Sequence, residues 1–316
     1  MASLRILPAP VHRLLLISVL ALCAALSGCE EPVDLDIELP EPRLVLNSTF
    51  FPDEVVRIQL TATRTLGNET AQSREVTTAE VMLFDGNDMV ESLTYVPSAS
   101  TGGVGEYRTQ TFRPLMGREY TLLVSAPGFP PVSAVSSIPP PVPLTTVAVA
   151  EVATVATEEV AVYDYKLHVD YADPAEEVNY YDLRVRQLAV PYTIAYNGDT
   201  IRQLPQMKGI LAPALYGERS GEVSLLIQDL PPGGVIDVEL RSVIDPRKEL
   251  LGNLVAELRT VSREYYFFQR TVNQSLGTPG GGLAQPVVIF SNASQGLGVF
   301  AGYNSVTTSV PLHLNH

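Results

Sequence analysis

The chain has 316 residues, of which 46% are hydrophobic and 18% are charged, and its formal net charge is −14. This length and composition allow a sizeable core, exclude global disorder and suggest two domains of ordinary size. The acidic balance excludes a nucleic-acid binder, which needs a basic surface, and it works against adhesion to anionic lipid. Val, Thr, Tyr, Pro and Gly are frequent and Trp is absent, which indicates an all-β protein.

The first 28 residues have the pattern of a signal peptide. Arg5 and Arg13 precede the apolar run LLLISVLALCAAL, which is shorter than the ~20 residues of a membrane-spanning helix. The run ends in the string LSGC, which resembles a bacterial lipobox. We therefore predict that the leader is removed before Cys29 and that acyl chains on Cys29 insert into membrane lipid. The alternative is an ordinary cleaved leader followed by a chance cysteine.

Residues 29–41 are acidic and rich in proline, which is typical of a solvated tether. Removal of the leader also removes two arginines, so 19 basic and 35 acidic residues remain and the net charge becomes −16. Glu30 and Glu31 directly follow the lipidated position. Acidic residues there resemble a surface-export signal of Bacteroidota lipoproteins, which favours the cell surface over the periplasmic face of the outer membrane.

Residues 42–138 are predicted to form an immunoglobulin-like β-sandwich. The segment 56–62 alternates apolar and polar residues, which is the period of a strand with one solvated face. Asp85-Gly86-Asn87 follows a short apolar strand and favours a hairpin turn. Short strands with turn signals every ~8–12 residues are typical of a sandwich.

Residues 139–143 are almost all proline and predict a stiff linker between domains. Residues 144–316 are predicted to form a larger antiparallel β domain, either a sandwich or a barrel. Asn197-Gly198 marks a hairpin there. Apolar residues spaced by three and four predict one amphipathic helix at about 254–276, with closing strands at 285–290 and 306–314.

Several segments, taken together in their order along the chain, resemble the Bacteroidota outer-membrane lipoproteins of domain-of-unknown-function family forty-two forty-nine. They are an acidic stretch after the lipid cysteine, the proline linker, the stretch from Asp173 to Tyr181, the string LRTVSREYYFF, and PVVIFSN followed by GLGVFAGY. Members are typically encoded near TonB-dependent receptors. The resemblance therefore implies a receptor of that class as partner, and it implies no particular reaction.

Two groups of residues are candidate binding sites. Glycines in the last segment mark either tight turns and close backbone approach or a rigid loop that contacts a partner. The candidate partner loop comprises Asn292, Gly296, Gly298, Phe300, Gly302 and Tyr303. A turn rich in carboxylates is a candidate ion or ligand site, since oxygen-rich loops bind calcium. It comprises Asp170, Asp173 and Glu176.

The sequence contains no pair of histidines at the spacing of a metal site, no nucleophile elbow and no phosphate-binding loop. We therefore expect no catalytic residue, no metal and no cofactor. The leading hypothesis is a non-enzymatic accessory lipoprotein that binds a TonB-dependent receptor, its cargo, or both. One alternative is a structural or adhesive surface subunit, which predicts polymers and a donated strand. Another is a hydrolase with dispersed carboxylates, which predicts a deep pocket with perturbed pKa values.

Overall fold

The computed structural model describes residues 41–63, 74–174, 178–216, 220–229, 235–277 and 287–312, all within one compact unit, Glu41–His316. The predicted leader, Cys29 and the acidic tether lie outside the described residues. In the described ranges, no helix is both long enough and apolar enough to cross a membrane. Strands dominate these ranges, so the predicted all-β class is confirmed.

The segment before the proline linker folds into two sheets. Its strands are β1 Leu44–Phe50, β2 Arg57–Ala62, β3 Arg74–Glu75, β4 Glu80–Asp85, β5 Asp88–Ser92, β6 Thr94–Val96, β7 Glu106–Arg108, β8 Glu119–Ser125 and β9 Val132–Ser137. One sheet contains β1-β2-β7-β6, with β3 beside β2, and the other has the order β5-β4-β8-β9.

The two sheets share one core, because alternate residues of their strands point inward. Leu46 and Ile58 of the first sheet and Leu83 and Leu122 of the second are fully buried in the same apolar cluster. This packing confirms the predicted sandwich. The β4–β5 hairpin turns at Gly86, whose φ of 60° is readily adopted by glycine.

The segment after the linker supplies the longer strands. Its elements are β10 Leu144–Ala156, β11 Ala161–Tyr171, β12 Tyr180–Ile194, β13 Thr200–Arg202, β14 Gln206–Lys208, β15 Ile210–Leu211, α1 Pro213–Tyr216, β16 Ser220–Gly221, β17 Val223–Gln228, β18 Val235–Ile244, β19 Glu249–Val261, α2 Arg263–Gly277 and β20 Leu297–Val310.

These strands enclose a second core. A five-stranded sheet has the order β10-β11-β18-β15-β16, and β12, β19 and β20 lie side by side in the sheet opposite. Leu167 and Val238 of the first sheet pack in one cluster with Leu183 and Leu258 of the second. The antiparallel C-terminal β region is thus a sandwich, and the hairpin predicted at Asn197-Gly198 joins β12 to β13.

Strand β20 connects the two cores. Its first half, from Leu297 to Gly302, pairs in parallel with β1. Its second half, from Tyr303 to Val310, pairs antiparallel with β19. The two segments therefore share one eleven-stranded sheet. The predicted boundary at 139–143 lies between β9 and β10, but the N-terminal sandwich receives a strand from the far end of the chain.

The predicted helix at 254–276 is wrong in its first third. Residues 254–261 belong to β19, because they pair with β12 on one side and β20 on the other. The helix α2 begins at Arg263, where the Ser262 hydroxyl accepts a hydrogen bond from the Tyr265 amide at 3.3 Å. Spacing alone could not separate these segments, since a buried strand carries apolar residues at every offset.

The predicted closing strands also need correction. Residues 287–290 form no strand, while residues 285 and 286 lie outside the described part of the chain. The strand predicted at 306–314 starts at Leu297 and ends at Val310. Five residues in succession, Val299 to Tyr303, are buried, so this part of the strand lacks the alternation by which a half-solvated strand is recognised.

Candidate functional site

The predicted partner loop is the first half of β20 and the residues just before it. Phe300 is fully buried and stacks on Phe50, with 4.3 Å between ring centroids. Asn292 fixes the strand, since its amide donates to the carbonyl oxygens of Val135 at 3.0 Å and Phe300 at 2.8 Å. Tyr303 is also buried. Phe300 and Tyr303 are therefore internal side chains of a strand, and contact of this segment with a partner stays a prediction.

The glycines of this segment allow close backbone approach, as the other interpretation held. A Cβ on Gly298 would lie 1.8 Å from the carbonyl oxygen of Leu46, and the residue has a φ of 100°. A Cβ on Gly302 would lie 2.2 Å from the carbonyl oxygen of Ser137. We call the contact of β20 with β1 and with the end of β9 the seam. Only glycine fits at these positions of the seam without moving backbone.

The candidate ion turn is described in part. Asp170 lies on β11, Asp173 follows that strand, and Glu176 lies outside the described residues. The Tyr181 hydroxyl donates a short hydrogen bond to Asp173. Burial, together with that carboxylate, raises the pKa of Tyr181 far above its ordinary value. Across the described ranges, no group of three or more His, Cys, Asp or Glu residues is arranged to hold a metal ion.

A buried polar network, which the sequence analysis did not find, lies where α2 packs on the large sheet. Its centre is Asp182, which is completely buried. This carboxylate accepts hydrogen bonds from Ser224 Oγ at 2.6 Å, Arg184 Nε at 2.8 Å and the Tyr265 hydroxyl at 2.9 Å. Because Tyr265 belongs to α2, the network joins the helix to β12 and β17.

The second half of this network lies on β19. Glu257 accepts hydrogen bonds from Arg259 Nε at 2.7 Å and from Arg186 at 2.9 Å. Burial raises the pKa of Glu257, but the adjacent guanidinium groups outweigh burial and hold that pKa below its ordinary value. The Arg259 guanidinium also lies 4.5 Å from the ring centroid of Tyr303, which belongs to β20.

The charges of the network compensate one another. Three guanidinium groups face three carboxylates, since Arg184 also lies 3.5 Å from Glu222 at the rim. An anion-binding site would need uncompensated positive charge, which this arrangement does not provide. The network therefore fixes α2, β12 and β19 relative to one another. A sequence signal existed: opposite charges two residues apart on one strand share one face.

Five strongly exposed apolar side chains lie on and beside the β12–β13 hairpin. Tyr196 at its tip is fully exposed, and Leu204 beyond it is 84% exposed. The other exposed apolar residues of this region are Ile194, Ile201 and Met207. We call these five residues the hairpin patch. Ile201 is paired with Thr193, so Ile194 lies on the other face of the hairpin and the five residues are neighbours along the chain rather than one flat surface. Scattered apolar residues are normal on a surface, but five in one short region make this region a candidate interaction site.

The grooves of the described surface are open. One of about 530 Å³ lies between Pro139, Pro174, Tyr180 and the start of α2, and another of about 550 Å³ lies beside Lys208 and Glu249. Among the described carboxyl groups, those with a shifted pKa are shifted downward, by hydrogen bonds and positive neighbours. A hydrolase site with a raised carboxyl pKa is not found among them.

A family model described as a domain of unknown function, DUF4249, matches residues 30–309. The chain belongs to the DUF4249 family. The match includes both cores and the seam formed by β20, which agrees with the predicted resemblance. A search of curated proteins found no match to this DUF4249 chain.

Proposed function

We propose that this DUF4249 protein is a non-enzymatic lipoprotein of the outer membrane that acts as an accessory or cargo-binding partner of a TonB-dependent receptor. Acyl chains on Cys29 would hold the folded part at the membrane, with the surface leaflet favoured. The hairpin patch is the observation that carries the proposal. It offers an apolar contact surface on a chain whose overall charge works against adhesion to anionic lipid.

The composition of the hairpin patch supports a protein partner. Tyr and Met are enriched at the cores of protein interfaces, and an aromatic side chain at a projecting tip is a suitable anchor. Both flanks of the hairpin are held: the backbone amide of Ala195 donates to Asp199 at 2.8 Å, and the Tyr192 hydroxyl donates to the Pro246 carbonyl. A preorganised hairpin loses less conformational entropy when it binds.

The seam at β20 supports a discrete complex over the alternative of a polymer-forming surface subunit. In polymers built by strand donation, the donated strand fills an interior position that the acceptor chain leaves vacant, which differs from addition at a free sheet edge. Here the position beside β1 is filled by the chain's own β20, and Phe300 and the glycine contacts hold it there. The adhesive subunit therefore remains the weaker proposal.

Affinity capture of the native acylated chain from detergent-solubilised membranes tests the proposal. The wild-type protein is expected to recover a TonB-dependent receptor in stoichiometric amount. The double variant Tyr196→Ser, Leu204→Ser should recover at least about tenfold less receptor, because truncation of each interface anchor weakens binding by about 1–2 kcal/mol.

The matched control is Val288→Ser, which replaces an apolar residue that is 86% exposed and lies outside the patch. All variants should retain the wild-type free energy of unfolding within about 0.5 kcal/mol, since surface substitutions rarely change it more. Failure of the intact acylated protein to recover a receptor would overturn the proposal. Equal recovery by the double variant would remove the hairpin patch as its contact.

A further inference from the structure

Among the described residues, strand β10 is a long sheet edge with one unpaired side. It pairs with β11 along its whole length, and no other strand of the described residues pairs with it. The other strands paired on one side only are shorter: β17 has six residues, β5 has five, β6, β13 and β14 have three, and β3 and β16 have two. The six-residue β9 is partly covered, because Ser294 forms a bridge to Ser133.

The sequence of β10 lacks most of the features that protect an edge. Its thirteen residues, LTTVAVAEVATVA, include no Lys, Arg or Pro and a single charged residue, Glu151. The pairing with β11 shifts between Leu144 and Thr146, is regular from Thr146 to Ala150, and shifts again before Ala153. Exposed edges normally carry charges, prolines or bulges, because unpaired N–H and C=O groups invite another strand. Residues 146–150 carry none of these.

We infer that the free edge of β10, over residues 146–150, accepts an extended segment of a partner protein as an added strand, one in which apolar residues alternate with Lys or Arg. The biological role of this edge depends on the function proposed above, and the inference names a binding mode for the partner. Main-chain hydrogen bonds would provide affinity, and alternate side chains would provide specificity.

The apolar half of this pattern follows from the inner face of the edge. Val147 and Val149 point inward and are partly buried at the margin of the second core. They pair with Val169 and Leu167, which are fully buried. Apolar side chains on an added strand would extend this row and remove the two valines from water, which is favourable in proportion to the apolar area covered.

The cationic half follows from the outer face. There β10 carries the small residues Thr146, Ala148 and Ala150, opposite Asp170, His168 and Lys166 of β11. His168 lies 2.9 Å from Asp237, so that carboxylate is occupied. Asp170 has no ion pair within the described ranges.

A long cationic side chain on an added strand can pass over Thr146 and reach Asp170, since the two strands would lie about 10 Å apart. The net charge of −14 favours a cationic segment at longer range as well.

A second copy of this chain is a poorer occupant. Two chains of net charge −14 repel one another. In an antiparallel pair of β10 strands, the bulge between Ala150 and Ala153 would interrupt the ladder of both copies. Continuous pairing is available only over the short regular stretch, which a single extended segment of similar length matches.

Hydrogen exchange of the full acylated protein in detergent tests this inference. The probe is a seven-residue peptide in which Lys and Val alternate, with blocked ends. Controls are the same peptide with Glu in place of Lys and the same peptide with a central Pro. At millimolar concentration the Lys probe should slow exchange at residues 146–150, and it should bind roughly threefold to tenfold tighter than the Glu probe. The Pro control should give no protection.

Two kinds of variant separate the backbone from the charge contribution. Asp170→Lys leaves the edge intact and should reverse the preference between the Lys and Glu probes. Ala148→Pro and Val149→Pro remove neighbouring N–H groups, of which one faces the free edge and the other faces β11. The variant that retains wild-type stability should lose probe binding, because proline is tolerated only where the N–H points outward.

Three results would overturn the inference. They are no protection at millimolar probe, protection located outside β10, or concentration-dependent dimers that the same proline variant abolishes. Receptor capture that fails while the probe still protects β10 would count against the proposed function and leave the edge site standing. Receptor capture without probe binding would overturn the edge site and leave the proposed function standing.

Discussion

Replacing Gly298 by Ala tests whether β20 holds the two cores together. The new Cβ would lie 1.8 Å from the Leu46 carbonyl oxygen, and the two residues are paired with each other in the sheet. Strain at a φ of 100° costs about 1–3 kcal/mol, and displacing a packed strand adds about 1–3 kcal/mol. We therefore expect the free energy of unfolding to fall by about 2–6 kcal/mol, measured by urea denaturation.

Gly128 provides the matched control. Its φ is 83°, and a Cβ there would meet no atom within 4 Å. Gly128→Ala should therefore lose only the conformational contribution, about 1–2 kcal/mol. Amide exchange in β1 and β20 should rise in Gly298→Ala and remain at the wild-type rate in Gly128→Ala. Equal destabilisation by the two variants would refute the role given to this contact.

Three further predictions concern the buried residues. Tyr265→Phe removes one donor from the buried carboxylate of Asp182 and should lower the free energy of unfolding by about 1–3 kcal/mol, measured by denaturation. The pKa of Glu257 is lowered in the folded state, so its contribution is complete above the unfolded pKa and is lost as pH falls through the folded pKa. Stability of the wild type should thus decline below about pH 5, and Glu257→Gln should show a shallower decline in the same denaturation series. Phe300→Ala removes the ring stacked on Phe50 and should cost about 3–5 kcal/mol. A loss below about 1 kcal/mol in that variant would contradict the burial of β20.

The sequence was informative where one face of a strand is solvated. The alternation at 56–62 predicted β2, which is a strand with alternately buried residues. The turn residues Gly86 and Gly198 located hairpins, because positive φ angles of 60° and 86° occur there. Period and turn chemistry are local properties, so a single sequence carries them.

The seam was not predicted because β1 and β20 are distant along the sequence and because both faces of β20 are buried there. Parallel pairing of Val45 with Leu297 joins residues about 250 positions apart, and no local pattern encodes it. In the string GLGVFAGY the glycines suggested tight turns, close backbone approach or a partner loop, and the structure uses Gly298 and Gly302 for close approach in a strand. The same burial concealed the boundary between β19 and α2.

The polar network was within reach of sequence reasoning. Asp182, Arg184 and Arg186 occupy alternate positions of a strand, as do Glu257 and Arg259 on its neighbour. Alternation places them on one face, and opposite charges on one face imply pairing. What the sequence could not provide is the hydroxyl of Tyr265, because its contact with Asp182 depends on where the helix packs.

Photo-crosslinking in intact membranes tests the proposed function most directly. A photoreactive phenylalanine derivative in place of Tyr196 would sit at the exposed end of the hairpin patch in the native acylated chain. Crosslinks to the barrel or plug of a TonB-dependent receptor are the expected result, and the same group in place of Val288 should give none. Crosslinks from Tyr196 only to other copies of this chain, or to no protein at all, would contradict the proposed function.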